Sequence, residues 1–223
     1  MTTGIQLAAR QAIATPLPLS WLGRPDAPLL PSDQSGIMAL TAIEIANLEA
    51  QIAYDQSIWS YSNIGINNRL GRYQFRTTTL EKYGLLATGS NAQYGTNCVN
   101  YQTCWQEVVQ RKNTTSYATY LYNVRSLSEF LASRTVQEQL VDQIIHDLYN
   151  NLSANGAITA DDPADIVAGM IYVGWVLGVG SAPTYGATNG TGAYAWRYNG
   201  VDSAGQGVSA FNSGRYAIVV LSQ

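Results

Sequence analysis

The sequence predicts a mainly α-helical fold. Three observations predict it. Four Ser/Thr-x-x-Glu boxes stand ahead of apolar runs, the apolar residues behind them recur at helical spacing, and five of the seven prolines fall within the first 31 residues. A Ser or Thr at a helix start accepts a backbone N–H three residues on, and the Glu there reaches back, so two orphan donors are satisfied. Helices begin at such boxes and end at Gly or Pro.

The elements follow in chain order. Pro16, Pro18, Pro25, Pro28 and Pro31 fix φ and remove donors, so residues 1–35 read as an extended arm. Its apolar residues, among them Leu17, Trp21, Leu22 and Leu29, suit an arm that packs along the domain or along a neighbouring subunit. Residues 36–223 form the domain proper. Thr41-Ala42-Ile43-Glu44 opens a helix near 42–54, carried by Ile45, Leu48 and Ile52. Thr78 to Glu81 opens a short helix stopped by Gly84. Ser126 to Glu129 opens a third, before Phe130 and Leu131. Thr135 to Glu138 opens a fourth, whose face of Leu140, Val141, Ile144, Ile145 and Leu148 runs through about 150. His146 falls between those positions and reads as solvated or locally bonded. Asp162-Pro163 gives an N-cap with Pro at the first helical position. The helix predicted over 163–178 is apolar on nearly all sides, which marks it as central and buried. Residues 181–215, rich in Gly, Ser, Asn and Tyr, read as long loops. Tyr216 to Leu221 reads as a short strand or buried terminal segment.

Composition narrows the function classes. Hydrophobic residues make up 46% of the chain, which fits a packed core. Charged residues make up only 12%, about half the usual share. Neutral polar groups cost less to desolvate than charges, so such a surface suits permanent contacts with other proteins. The net charge is −3 and no basic stripe is present, which excludes nucleic acid as an expected partner. The longest apolar stretch, Ile166 to Gly180, is too short and Gly-rich to span a bilayer. No signal-peptide pattern opens the chain, so delivery to a cell wall is expected to depend on something else. Cys98, Cys104 and the lone His146 have no metal-ligand spacing, and no metal or cofactor is expected. The two cysteines suit either a local disulfide or two unpaired thiols.

Gly71-Arg72-Tyr73-Gln74-Phe75 is the most informative run. It resembles the Gly-x-Tyr/Met-Gln signature of lysozyme-like lytic transglycosylases and phage muramidases. In that family a small β-hairpin region brings this Gly and Gln to the floor of the sugar cleft, and a helix follows. At the family's usual spacing ahead of that glycine a catalytic Glu-Ser pair stands. Here those positions hold Gln56 and Ser57. The resemblance covers roughly residues 41 to 86. Further segments, including Tyr94 to Tyr101, Ser126 to Leu131, Gly192 to Arg197 and Phe211 to Tyr216, are similar to virion proteins of contractile-tailed phages of cyanobacteria.

The resemblance implies an α+β lysozyme-like domain. Cleavage of a glycosidic bond needs a carboxyl with a raised pKa to protonate the leaving oxygen. Gln56 has no such proton, so the cleft is expected to bind or to persist without cutting efficiently. Asp55 and Glu81 are the carboxylates near enough in sequence to substitute. Asp55 points about 100° away from Gln56 on a helix, and Glu81 doubles as a capping-box residue. Gln56, Ser57, Tyr61, Tyr73 and Gln74 are the candidate glycan contacts, with Trp59, Tyr194, Trp196 and Tyr216 as further rings able to stack on pyranose faces. The expected function is a tail or baseplate component made in the host cytoplasm and carried in the virion. Its expected partners are other virion proteins and peptidoglycan glycan. An active tail-associated peptidoglycan hydrolase is the alternative.

Overall fold

A computed structural model describes residues 40–57, 59–106, 109–111, 120–122, 124–178, 193, 197 and 206–219. The proline-rich arm, Tyr194, Trp196 and most of the 181–205 stretch lie outside these residues. Among the described residues the fold is mainly α-helical, with seven α-helices: α1 (Ala42–Ser57), α2 (Thr77–Lys82), α3 (Ser90–Tyr94), α4 (Leu127–Ala132), α5 (Arg134–Ala154), α6 (Ala164–Leu177) and α7 (Gln206–Val219). A short antiparallel pair joins β1 (Val109–Arg111) to β2 (Tyr120–Tyr122), with Gln110 opposite Leu121. The chain divides into two compact units, one drawing on residues 40–52 and 144–219 and the other on residues 53–143.

In the first unit the predicted central helix is α6, buried from Val167 to Gly174. It begins one residue later than the sequence suggests. Pro163 is the N-cap, while Asp162 accepts the Thr159 N–H at 2.7 Å and the Arg197 guanidinium at 2.6 Å. The second correction is larger. Residues 206–219, read as loop up to 215 and then as a short strand or buried terminal segment, form α7, which packs against α6. Gly and Ser lower helix propensity, but here Gly214 and Gly169 permit contact. A Cβ on Gly214 would lie 2.6 Å from the Ala168 carbonyl oxygen, and one on Gly169 would lie 2.5 Å from the Phe211 ring. Arg215 and Asp165 close the same contact with an ion pair at 2.7 Å.

The boxes divide evenly. At α1 the pair is complete: Glu44 N–H donates to Thr41 Oγ1 at 3.3 Å, and Thr41 N–H donates to Glu44 Oε2 at 2.7 Å. At α4 Ser126 accepts from Glu129 N–H at 3.2 Å, while Glu129 accepts from Arg125 N–H at 2.6 Å. The other two are not formed. Helix α2 is capped from Arg76, and Glu81 accepts the N–H groups of Gly89 and Asn91 at 2.7 and 2.8 Å, tying the start of α3 to α2. Helix α5 begins at Arg134, with Ser133 Oγ accepting from Val136 N–H at 3.3 Å. Glu138 is thereby released to turn inward. Of the two readings of His146 the solvated one fails: it is buried, because α5 is enclosed on more than its apolar side, and Gln137, Glu138, Asp142 and Gln143 are buried too.

The second unit is built around rings. Phe75 contacts Tyr73 at 5.6 Å and Phe130 at 6.0 Å between centroids, and Trp105 meets Phe130 at 5.8 Å. Leu70, Leu80, Leu85 and Leu86 are fully buried in this unit. Cys98 and Cys104 are buried free thiols, and burial raises the Cys98 pKa. No helix among the described residues is long and apolar enough to cross a membrane.

Candidate functional site

The site lies in the second unit, where the end of α1 meets the turn of residues 59–75. Ser57 donates its hydroxyl to the Arg72 carbonyl at 2.5 Å. That bond joins the Gln56-Ser57 pair to the Gly71–Gln74 run, although 15 residues separate its partners. Gln56 is half-buried in the last turn of α1, and Asp55 beside it is exposed. Residues 64–75 form a turn closed by two isolated antiparallel bridges, Ile64 to Leu70 and Leu70 to Phe75, in place of a continuous hairpin ladder. Asn67 and Asn68 take left-handed conformations at its tip, as their residue type favours.

Each residue of the Gly-Arg-Tyr-Gln run is held from inside. Gly71 has φ +72°, and a Cβ there would lie 2.1 Å from Gln137 Oε1. Gln137 uses that space. Its Oε1 accepts the Arg72 N–H at 2.9 Å, and its Nε2 donates to the carbonyls of Tyr61 at 3.1 Å and Phe130 at 3.0 Å. Gln74, with φ 52°, folds back so that Nε2 donates to the Gly71 carbonyl at 2.9 Å. Its Oε1 fills the space over Gly65 that a side chain would take. Tyr73 is fully buried.

Glu138 is the chemical centre of this arrangement. Tyr61 OH donates to Oε1 at 2.6 Å and Tyr73 OH to Oε2 at 2.7 Å. Arg72 Nε lies 3.6 Å from Oε1. The Tyr61 ring carries two cations, with the Arg72 guanidinium 4.9 Å and the Arg134 guanidinium 5.1 Å from its centroid. Burial pushes the Glu138 carboxyl above its usual range, against the opposing pull of both hydroxyls and both guanidinium groups. Burial, and then the neighbouring Glu138 charge, raise the Tyr61 pKa as well. The arrangement can hold a proton on an interior carboxyl and can lock two tyrosines. It presents little of that carboxyl to solvent, since Glu138 is 5% exposed.

The structure therefore brings Ser57, Tyr61, Tyr73 and Gln74 into one bonded region around Arg72 and Glu138. It keeps Glu81 in its contacts with Gly89 and Asn91. Trp59 has φ 64° and packs its ring 5.0 Å from that of Tyr54. Tyr216 is half-buried on α7, in the first unit. Gln137 and Glu138 are the residues that sequence reasoning passed over. The signal was present: positions 137 and 138 continue the α5 stripe of Val141, Ile144 and Ile145 by one turn toward the N-terminus. Among the described residues no group of acidic, His or Cys side chains is arranged to hold a metal.

No family model, curated protein or solved structure matches the chain.

Proposed function

We propose that the chain is a structural component of a phage tail or baseplate. In this reading a lysozyme-like α+β domain with a small hairpin region has lost its proton donor. It is kept for docking to other virion proteins or for contact with peptidoglycan glycan. The observation that carries it is the Ser57–Arg72 bond. It joins the helix end bearing Gln56 to the Gly71–Gln74 turn, which supports the juxtaposition the resemblance implies, with an amide in the sequence frame of its glutamate. An amide keeps the hydrogen-bonding shape of Glu but cannot protonate a leaving oxygen. The inward bonding of Tyr73 and Gln74 supports the same reading, because these side chains are engaged within the protein. The low share of charged residues suits permanent assembly.

A second reading, an active tail-associated glycosidase, draws on Glu138, an interior carboxyl held above its usual range. Both of its oxygens are occupied by tyrosine hydroxyls, which favours a structural role. Quantitative mass spectrometry of purified, disrupted particles separates structural from soluble roles. A virion component appears at fixed copy number. Recovery only from the soluble lysate, with none in the particles, overturns the proposal.

A further inference from the structure

The second unit holds a cup of about 340 Å³ formed by residues 99–105 and 126–131, outside the 41–86 segment on which the reading above rests. Its apolar lining is Val99, Trp105, Leu127 and Leu131, with Trp105 itself 8% exposed. Its polar lining is the carboxamides of Asn100 and Gln102 and the hydroxyls of Ser126 and Ser128. Among the described residues no lining side chain is ionisable.

The cup is built firmly. Trp105 donates its indole N–H to the Val99 carbonyl at 2.8 Å, which fixes the ring plane. Its backbone is bridged to Leu86, and the flanking bonds Ala87 N–H to Cys104 O at 2.7 Å and Gln106 N–H to Leu85 O at 3.1 Å hold both sides of that bridge. Gln102 donates Nε2 to the Arg125 carbonyl, which leaves its Oε1 as an acceptor. Ser126 and Ser128 share a hydroxyl contact at 3.0 Å. Tyr101, between two lining residues in the chain, is 48% exposed and pairs its ring with Tyr94 at 4.9 Å.

A lining of leucines and an indole edge among neutral amides and hydroxyls matches one ligand chemistry well. A pyranose ring has an apolar C–H face and an equatorial fringe of hydroxyls, and carries no charge. Such a lining can both donate and accept, and an uncharged wall imposes no penalty of burying an unpaired ion. We propose that this cup is a saccharide-binding site that seats one neutral pyranose of an oligosaccharide, with the Tyr94–Tyr101 pair as a platform for an adjacent ring. The occupant is a neutral glycan, whatever the role of the Gln56 region.

The test is a ¹H–¹⁵N NMR titration of the full chain with chitotetraose and, separately, maltotetraose, following the Trp105 indole resonance. At least one of these neutral sugars is expected to shift that resonance, with a Kd of about 1 mM. Tri-galacturonate, a charged control, is expected to bind at least about tenfold more weakly. Ser128 and Asn100 are exposed, so Ser128→Trp and Asn100→Ala are expected to fold normally. Ser128→Trp should fill the cup and abolish the shift, and Asn100→Ala should weaken it. Three results overturn the proposal: no shift with either neutral sugar, tighter binding of the acidic sugar, or binding that Ser128→Trp leaves unchanged while its spectrum stays native.

Discussion

Gln137 occupies the space that a side chain at position 71 would need, its Oε1 lying 2.1 Å from where a Cβ on Gly71 would sit. The glycine of the Gly-Arg-Tyr-Gln run is thus required by a residue 66 positions further along the chain. Its φ of +72° adds a second requirement. Gly71→Ala meets both at once and is expected to cost about 2–4 kcal/mol, the sum of left-handed strain and overpacking. Urea unfolding checks this. A midpoint within error of the parent would show that Gln137 moves aside freely.

Removal of the Glu138 carboxylate leaves Arg72 without its acidic neighbour and two tyrosine hydroxyls without their acceptor. Glu138→Ala is expected to destabilise by about 3–5 kcal/mol, the range for breaking a buried pair from one side. Tyr73→Phe, which deletes one donor to a charged group, should cost about 1.5–3 kcal/mol. Chemical denaturation of both variants distinguishes these values from the smaller effects of surface changes.

The same carboxyl sets a pH dependence. Its folded-state pKa is raised by burial, so the folded protein binds this proton more tightly than the unfolded chain does. The contribution is fully present below the usual glutamate value near 4.5 and is lost as pH rises through the folded value. The stability of the parent minus that of Glu138→Gln should therefore fall as pH rises from about 4.5, and then level off. A difference that grows with pH over that window would contradict the assigned direction.

Two glycines in the first unit should respond differently to alanine. At Gly214 the obstacle is the Ala168 backbone at 2.6 Å, which cannot yield without separating α6 from α7. Gly214→Ala is expected to lose about 1–3 kcal/mol by overpacking. At Gly174 the nearest atoms are the methyls of Leu152 at 3.2 Å and Leu148 at 3.3 Å, which can shift. There the gain in helix propensity, about 1 kcal/mol, should offset much of the crowding. Thermal melts of the two variants give the comparison.

Helix existence was legible because capping chemistry and apolar period are local. Thr41 with Glu44, and Ser126 with Glu129, state their helix starts within four residues. Helix α7 was not legible for the opposite reason. Gly207, Ser209 and Gly214 read as loop by propensity, and at Gly214 the close approach of α6 explains the residue. The same limit hid Glu138. Thr135-Val136-Gln137-Glu138 is a sound capping box as a string, yet Ser133 takes the cap and the carboxylate goes to Tyr61 and Tyr73, 77 and 65 residues away. The Gln56-Ser57 frame could be aligned with Gly71 by spacing alone, but the Ser57–Arg72 bond that joins them depends on the folded turn.

The most direct test of the central claim is the release of soluble muropeptides from purified peptidoglycan by the full chain, followed by chromatography across pH 4.5 to 8. With an amide at position 56 and Glu138 enclosed by two tyrosines, no release above buffer is expected. Release that disappears in Glu138→Gln or Asp55→Ala, with the fold of that variant intact, would show that a carboxyl does reach the glycosidic oxygen and would contradict the account.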